Sequence, residues 1–401
     1  MKAFFDHPAF DGQLLRILSL IYYRGADYGE CLATASRIEP GNYDSWFTEW
    51  FQTAEQLNGL GTVSEQHNHL TSAKEAYFRA CHYYRTALFF LYGSPIGAGF
   101  IEAYDKHVAM FDKGMLLSNF LVEKVFFPFE NTHLMGYFIR ADDRVRPTLI
   151  INTGYDGTCQ EAFFCNGFAA LERGYHVFCF DGPGQGYSLI KQELYMRPDW
   201  ERVVSAVIDY LTTLSLVDAE KISLLGQSWG GYLTPRAACF ETRLAALIAN
   251  PGQYEALRPF RAHFPAIDAL LEPDQAHHLE QLMQQVMSQP GMAFKMKSKA
   301  WIHGKDQPAD LVRAWKAYTL VDIASRIQCP SLILDSENET FSQGQARELY
   351  NALTCKKEYR LLTEKEGAAE HCGIGAYSLV NQIVFDWLDH LFFKSNGASK
   401  K

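Results

Sequence analysis

Several features that would define a function class are absent from this sequence. It has nine cysteines but no C-x-x-C pair, a pattern that predicts reduced thiols rather than a disulfide framework. Basic residues are outnumbered, with 37 Lys and Arg against 46 Asp and Glu, and the net charge of -9 argues against nucleic-acid binding, which needs a basic face. The longest apolar stretches, such as residues 14–23 with Arg16 among them, are shorter than the roughly 18 residues that a membrane span requires.

The first eight residues also lack the basic start and apolar core of a signal peptide. We therefore expect a cytoplasmic protein with neither a nucleic-acid nor a membrane partner. The hydrophobic content of 48% and the charged content of 21% are ordinary for a globular protein. Because single cores stop growing at about 250 to 300 residues, the 401 residues should form one large domain and a smaller one.

Residues 1–118 have the pattern of a helical domain. In the clearest segment, apolar residues recur at spacings of three and four, which places them on one face of a long helix. They are Leu70, Ala73, Tyr77, Ala80, Cys81, Tyr84, Leu88 and Leu91. Shorter helices are predicted between glycine- and proline-containing breaks, one of them at residues 59–61. The region is rich in aromatic residues, most of which we expect to pack between helices, while a minority line a substrate cavity.

Residues 119–395 alternate between predicted strands and helices. The predicted strands are residues 122–129, 133–139, 147–152, 175–180, 222–225, 244–249 and 331–334. This alternation predicts an α/β fold with a doubly wound, mostly parallel sheet, in which ligands bind at the carboxyl ends of the strands. The helical stretch from about residue 253 to 323 is too long for a plain loop. We predict that it is an insertion between two strands of this domain, an excursion that helps to cover the ligand-binding site.

A G-x-S-x-G pattern at residues 226–230 lies between an apolar run and a segment that can be helical from its first turn. A strand that turns into a helix within a few residues forces the central residue into a strained backbone geometry, and the flanking glycines remove Cβ atoms that would collide. Such an elbow holds the serine hydroxyl out at the tip of the turn. The pattern therefore predicts Ser228 as a nucleophile.

A serine nucleophile needs a base to take its proton and a carboxylate to orient that base. In this fold they follow the serine in the order acid, then histidine. Among 13 histidines, His371 lies after the last predicted strands and before a predicted C-terminal helix, so it is the predicted base. Three carboxylates follow the strand at 331–334. We favour Glu339, because a loop residue can reach His371 whereas Asp335 continues the strand; Asp335 and Glu337 remain the alternatives.

The anion that forms on an attacked carbonyl oxygen needs preorganised donors. We predict the backbone N–H of Trp229, directly after the serine, and that of Tyr155, in the loop after the strand at 147–152. A glycine-rich loop at residues 181–188 lacks the G-x-G-x-x-G spacing of a nucleotide site and is predicted to be a tight turn beside the active site. Tyr254 and Glu255, which follow another predicted strand, are candidate substrate contacts.

Taken together, these motifs resemble the α/β-hydrolase superfamily. The likeness lies in residues 180–186, 226–231, 236–238, 329–334 and 370–372. Within the superfamily the chain resembles the FrsA-like branch, which includes 2,6-dihydroxypseudooxynicotine hydrolase and the polyketide-shortening hydrolases of pigment and anthraquinone biosynthesis. The likeness covers about residues 120–392 by motif, and the helical N-terminal segment matches that branch's cap domain in position and character. The branch usually has an aspartate where Glu339 stands, although glutamate serves in the wider superfamily.

The resemblance implies a serine mechanism with no cofactor and no metal. It also implies cleavage of a carbon–carbon bond next to a ketone, of the retro-Claisen type, in a polyketide-like or aromatic diketone metabolite, as in polyketide chain shortening. A carboxylesterase acting on small or lipid-like esters is the alternative, since an ester needs the same three groups. The implied partner is a small-molecule substrate, and the resemblance is consistent with a homodimer. A catalytically silent scaffold is disfavoured, because all three groups occur in the required order.

Overall fold

The structure, a computed structural model, describes residues 2–93, 95–289 and 291–393. The chain divides into two compact units. The helical unit contains the described residues of Met1–Val122 and Ala266–Arg313, and the sheet unit contains those of Glu123–Pro265 and Ala314–Lys401. Among the described helices, none combines the length and the apolar character needed to cross a lipid bilayer.

The α-helices of the described residues follow the chain in this order: α1 (Pro8–Leu18), α2 (Tyr28–Ala35), α3 (Tyr43–Gln66), α4 (Leu70–Leu88), α5 (Ala98–Leu116), α6 (Cys159–Ala162), α7 (Phe168–Glu172), α8 (Gly186–Gln192), α9 (Trp200–Leu211), α10 (Gly230–Ala238), α11 (Arg258–His263), α12 (Ile267–Leu270), α13 (Ala276–Met287), α14 (Met292–Ile302), α15 (Pro308–Ala314), α16 (Gln345–Ala352) and α17 (Tyr377–Phe392). A π-helical turn, Phe163–Gly167, joins α6 to α7, so the three form one continuous helical segment with a bulge.

In the helical unit, α4 packs between α3 and α5, and every residue from Ala80 to Leu88 is buried. The predicted break at residues 59–61 is wrong, because α3 continues to Gln66. A Cβ at position 61 would lie 2.6 Å from Tyr77 Cε1, so Gly61 is what allows α3 to approach α4 this closely. The contact offsets the roughly 0.5 to 1 kcal/mol that a glycine costs inside a helix.

The stretch predicted as an excursion of the sheet-bearing domain is divided between the two units, and its central part, Ala266–Arg313, belongs to the helical unit. Aromatic side chains on α14 explain this grouping. The Phe294 ring lies 5.8 Å from Tyr43 and 5.5 Å from Phe90, between centroids. The Trp301 ring lies 5.8 Å from Phe100. Contacts between these aromatic rings, of which Phe294 and Trp301 are partly buried, attach the segment to the N-terminal helices.

The sheet unit is built on one sheet of eight described strands, and this confirms the predicted fold class. The strands are β1 (Leu121–Phe129), β2 (Thr132–Arg140), β3 (Arg146–Asn152), β4 (His176–Asp181), β5 (Val217–Gln227), β6 (Ala246–Asn250), β7 (Ser331–Ser336) and β8 (Lys357–Leu362). Their order across the sheet is β1-β2-β4-β3-β5-β6-β7-β8. The β2–β4 pair is antiparallel, and the pairs from β4 through β8 are parallel.

The central strands are apolar along most of their length, but each ends in a polar residue. β4, β6 and β7 are buried at every position, as expected for a parallel sheet covered by helices on both faces. The residues at the carboxyl ends of β3 to β7 are Asn152, Asp181, Gln227, Asn250 and Ser336. The polar side chains therefore gather at one edge of the sheet, where a doubly wound fold binds its ligands.

Candidate active site

Ser228 stands at the sharp turn between β5 and α10. Its φ of +60° lies in the left-handed region, which costs a residue other than glycine about 1 to 3 kcal/mol and is typical of a nucleophile elbow. The turn is held by the Ser228 N–H, which donates to the Asn250 carbonyl at 2.7 Å. A Cβ at Gly226 would lie 2.1 Å from the carbonyl oxygen of Gly230. The packing at this turn leaves no room for a Cβ at Gly226, as predicted for a nucleophile elbow.

A continuous chain of hydrogen bonds joins Ser228 to His371 and Glu339. His371 Nε2 lies 2.9 Å from Ser228 Oγ, and His371 Nδ1 lies 2.6 Å from Glu339 Oε2. Because the carboxylate can only accept, Nδ1 carries a proton, and in the neutral imidazole Nε2 presents its lone pair to the serine hydroxyl. The structure thus brings together residues that are far apart in the sequence. Ser228 and His371 are separated by 143 positions, and Glu339 and His371 by 32.

Glu339 is held at both carboxylate oxygens. Its Oε2 accepts from His371, and its Oε1 accepts the backbone N–H of Phe341 at 2.7 Å and of Ser342 at 3.2 Å. Only 5% of the residue is exposed. Burial by itself raises the pKa of the Glu339 carboxyl, but the charge and hydrogen bond of His371 and the two N–H donors lower it below its ordinary value. Glu339 is therefore a carboxylate at neutral pH.

The environment of His371 favours the charged imidazolium. Burial opposes the charge, but the neighbouring Cys372 sulfur and the Glu339 carboxylate outweigh burial and hold the pKa of His371 well above its ordinary value. The Phe341 ring packs against the imidazole edge to face, with 4.9 Å between centroids. A base of this kind accepts a proton readily and stabilises the ion pair that proton transfer from a serine creates.

The two alternative acids are bonded to other groups. Asp335 accepts the Tyr359 hydroxyl at 2.7 Å and the Ser336 N–H at 2.9 Å. Glu337 accepts the Glu364 N–H at 2.7 Å. Of the three carboxylates considered from the sequence, Glu339 is therefore the one that forms a hydrogen bond with His371 in the described structure.

The loop after β3 lies directly against the elbow. A Cβ at Gly154 would lie 2.6 Å from the Trp229 nitrogen and 3.0 Å from Ser228 Oγ, so only glycine fits there. The rings of Tyr155 and Trp229 stack, with 5.0 Å between centroids and 12° between planes. The Trp229 ring also stacks on Tyr232, with 4.7 Å between centroids. The two residues predicted to supply the oxyanion donors are thus neighbours beside the serine.

The glycine-rich loop after β4 is a tight turn, as predicted, closed by the bond from Gln185 N to Gly182 O at 2.9 Å. Asp181 anchors it by accepting the backbone N–H of Cys159 at 2.8 Å and of Tyr187 at 3.0 Å. Burial raises the pKa of the Asp181 carboxyl to about 6, although these N–H donors oppose the rise. This carboxylate stabilises the turn through its bonds to the backbone.

Tyr254 and Glu255 belong to a segment that is fixed by two glutamines. Gln253 Nε2 donates to the Ser228 carbonyl at 2.7 Å, and Gln345 Oε1 accepts the N–H of Tyr254 and of Glu255 at 2.9 and 2.8 Å. The Glu255 carboxylate forms an ion pair with Arg261. Neither glutamine was singled out from the sequence, since no spacing marks a residue whose partners come from distant segments. The roles of Tyr254 and Glu255 as substrate contacts stay predictions.

The arrangement has the parts that acyl-transfer chemistry needs: a hydroxyl, a base within hydrogen-bond reach, a carboxylate that orients the base, and backbone amides beside the hydroxyl. Within the residues that the structure covers, no group of three or more His, Cys, Asp or Glu side chains is placed to hold a metal ion.

Known proteins resemble the chain over nearly its whole length. Residues 154–372 match the alpha/beta hydrolase family. Hydrolase LUC6 of Fusarium sp is 31% identical over 415 residues, covering 98% of both chains. The 20-hydroxy-prefusarin hydrolase FUS2 of Gibberella moniliformis (strain M3125 / FGSC 7600) is 31% identical over 414 residues, also covering 98% of both.

Solved structures share the fold. The 2,6-dihydroxy-pseudo-oxynicotine hydrolase matches with a TM-score of 0.74 at 22% identity, covering 94% of this chain and 96% of that one. AbyA5 matches with a TM-score of 0.66 at 16% identity, covering 96% and 95%. These matches confirm the resemblance inferred from the motifs. The chain belongs to the α/β-hydrolase family.

Proposed function

We propose that this α/β hydrolase is a serine enzyme that cleaves a carbon–carbon bond next to a ketone, in the retro-Claisen manner, in a polyketide-like or aromatic diketone metabolite. The observation that supports the serine mechanism is the chain of hydrogen bonds from Glu339 through His371 to Ser228, at 2.6 and 2.9 Å. The choice of bond rests on the resemblance to the FrsA-like branch. One relative, at 31% identity, is named as a hydrolase of 20-hydroxy-prefusarin.

In the first step, Ser228 Oγ forms a bond to the ketone carbon while its proton passes to His371 Nε2. Glu339 stabilises the imidazolium that results, as its placement beside Nδ1 allows. The carbonyl electron pair moves to oxygen, and the backbone N–H groups of Trp229 and Tyr155 stabilise this oxyanion. One such donor typically contributes about 10²- to 10³-fold to the rate.

In the second step, the oxyanion collapses and the carbon–carbon bond breaks. The bonding electron pair leaves on the departing carbon as an enolate or phenolate, which the second carbonyl or the aromatic ring stabilises. The imidazolium of His371 then gives its proton to that carbon. Water then gives a proton to His371 while its oxygen bonds to the acyl carbon on Ser228. The bond from that carbon to Ser228 Oγ breaks, the His371 imidazolium returns the proton to Oγ, and the carboxylic acid is released from the regenerated enzyme.

An ester would pass through the same tetrahedral intermediate with an alkoxide as its leaving group, so the three groups serve both reactions. Product analysis separates them. The purified protein is incubated with a panel of β-diketones and a panel of small and lipid-like esters, with Ser228→Ala as the control, and products are identified by mass spectrometry. The proposal expects a carboxylic acid and a ketone from diketones, formed only by the wild type. Turnover restricted to esters would overturn the carbon–carbon assignment and leave a carboxylesterase.

A further inference from the structure

We infer that Gln185 is a positioning residue that orients the second oxyanion donor, the Tyr155 N–H. The inference rests on the proposed serine mechanism. Gln185 lies in the glycine-rich turn after β4, is completely buried, and takes no part in the steps described above. Its side-chain amide is the link between that turn and the loop beside Ser228.

The side-chain nitrogen of Gln185 binds the oxyanion loop from one side. Nε2 donates to the Thr153 carbonyl at 2.6 Å and to the Gly154 carbonyl at 3.1 Å. A trans peptide is planar, with its N–H and C=O pointing in opposite directions. Since the Gly154 carbonyl points towards Gln185, the N–H of the same peptide unit, which belongs to Tyr155, points away from it.

The orientation of the Gln185 amide is fixed by its partners. Its Oε1 accepts the backbone N–H of Gly182 at 3.1 Å and Asn152 Nδ2 at 3.0 Å. A backbone N–H can only donate and a carbonyl can only accept, so the amide has one orientation that satisfies both sides. The Asn152 amide is held in turn, because its Oδ1 accepts Trp200 Nε1 at 2.9 Å. A buried network in which every member is satisfied in this way is rigid.

Close contact with the elbow at Ser228 also restricts the position of the oxyanion loop. At Gly154, a Cβ would lie 2.6 Å from the Trp229 nitrogen. The peptide that carries the Tyr155 N–H is therefore held by Gln185 through its carbonyl while its glycine contacts the elbow. Loss of the two bonds from Nε2 frees this peptide to rotate, and a misplacement of about 1 Å near a reacting atom can cost about 10²-fold in rate.

The test uses three variants of the full chain. Gln185→Met keeps the size of the side chain and removes both bonds to the loop. Gln185→Glu keeps an acceptor for the Gly182 N–H and loses the amide donors, and it carries the test if Gln185→Met does not fold. Asn381→Leu is the matched control, because Asn381 is also completely buried and its Nδ2 donates to the Cys165 carbonyl at 2.8 Å.

Two readouts depend on the oxyanion site and not on folding alone. The first is the second-order rate of labelling of Ser228 by a fluorophosphonate, followed by intact-protein mass well below the melting temperature. The second is the affinity of a trifluoromethyl ketone, whose adduct with serine carries an oxyanion. We expect both to fall by about 10- to 100-fold in the Gln185 variants. Asn381→Leu should label at the wild-type rate even where its melting temperature falls.

Labelling of a folded Gln185 variant at the wild-type rate would overturn the inference, and so would an equal slowing in Asn381→Leu. Failure of the wild type to label at Ser228 is a different result. It would refute the proposed serine mechanism, and the role of Gln185 would be refuted with it.

Discussion

Replacing Glu339 with glutamine should remove most of the activity without unfolding the protein. The two backbone N–H groups of Phe341 and Ser342 both donate to Oε1. In the variant these donors require an oxygen, so the new amide must direct its NH₂ group towards His371. The imidazole then has to accept at Nδ1 and carry its proton on Nε2, which is the tautomer that cannot take a proton from Ser228.

The magnitude follows from this tautomer argument. A carboxylate-to-amide change that enforces the wrong tautomer costs about 10⁴-fold in kcat in the serine-protease template. A loss of about 10³- to 10⁴-fold corresponds to roughly 4 to 5.5 kcal/mol in the activation barrier. The assay is kcat/KM on a p-nitrophenyl ester or on the diketone substrate, together with the melting temperature to confirm folding.

The pH dependence of activity provides a second, independent test of the role of Glu339. Catalysis needs neutral His371, so wild-type activity should rise with pH and reach its plateau only above the raised pKa of this group. In Glu339→Gln the carboxylate no longer opposes burial, and the pKa of His371 falls. The residual activity should therefore reach its plateau at lower pH than that of the wild type.

Asp335→Asn is the matched control, since it changes another buried carboxyl in the same region. Asp335 is bonded to Tyr359 and not to the imidazole, so this variant should stay within a few-fold of wild-type activity. If Asp335→Asn loses as much activity as Glu339→Gln, or if Glu339→Gln remains active with an unshifted pH profile, Glu339 does not set the tautomer of His371.

Three further predictions concern stability, each measured by urea unfolding. Gly61→Ala should destabilise the protein by about 1 to 3 kcal/mol because its Cβ overlaps Tyr77, whereas Gly59→Ala, with open space around it in the same helix, should stabilise it by about 0.5 to 1 kcal/mol. Ser228→Gly should be about 1 kcal/mol more stable than Ser228→Ala, because only glycine relieves the strain at φ +60°. Burial raises the pKa of folded Asp181 from 3.8 to about 6, so its contribution to stability is greatest below pH 4 and falls by about 3 kcal/mol as pH rises through 6. The stability of the wild type relative to Asp181→Asn should decrease over that range, and a constant or increasing difference would contradict the assignment.

The sequence was informative where chemistry demands a local pattern. The elbow at Ser228 could be predicted because its glycines are needed within two residues of the serine. Glu339 was favoured over Asp335 because a loop residue beyond the end of the strand can reach His371. The structure places the Glu339 carboxylate 2.6 Å from the imidazole.

Other features could not be predicted because they depend on burial or on contacts with residues that are distant in the sequence. β8, at Lys357–Leu362, was not predicted, since this edge strand is only partly buried and its charged residues interrupt the apolar pattern. The glycine pair at residues 59–61 was interpreted as a break because only the packing of α3 on α4 shows that position 61 requires a small residue. The bonds from Gln185 Nε2 could not be predicted either, because the Thr153 and Gly154 carbonyls that accept them lie more than 30 positions away in the sequence.

Peptide mapping of the folded wild-type protein after reaction with a fluorophosphonate tests most directly whether Ser228 is the nucleophile. We expect a single adduct, located on Ser228, that is absent from Ser228→Ala and forms far more slowly in Glu339→Gln. An unlabelled wild type, or an adduct that persists in Ser228→Ala, would show that Ser228 is not the nucleophile.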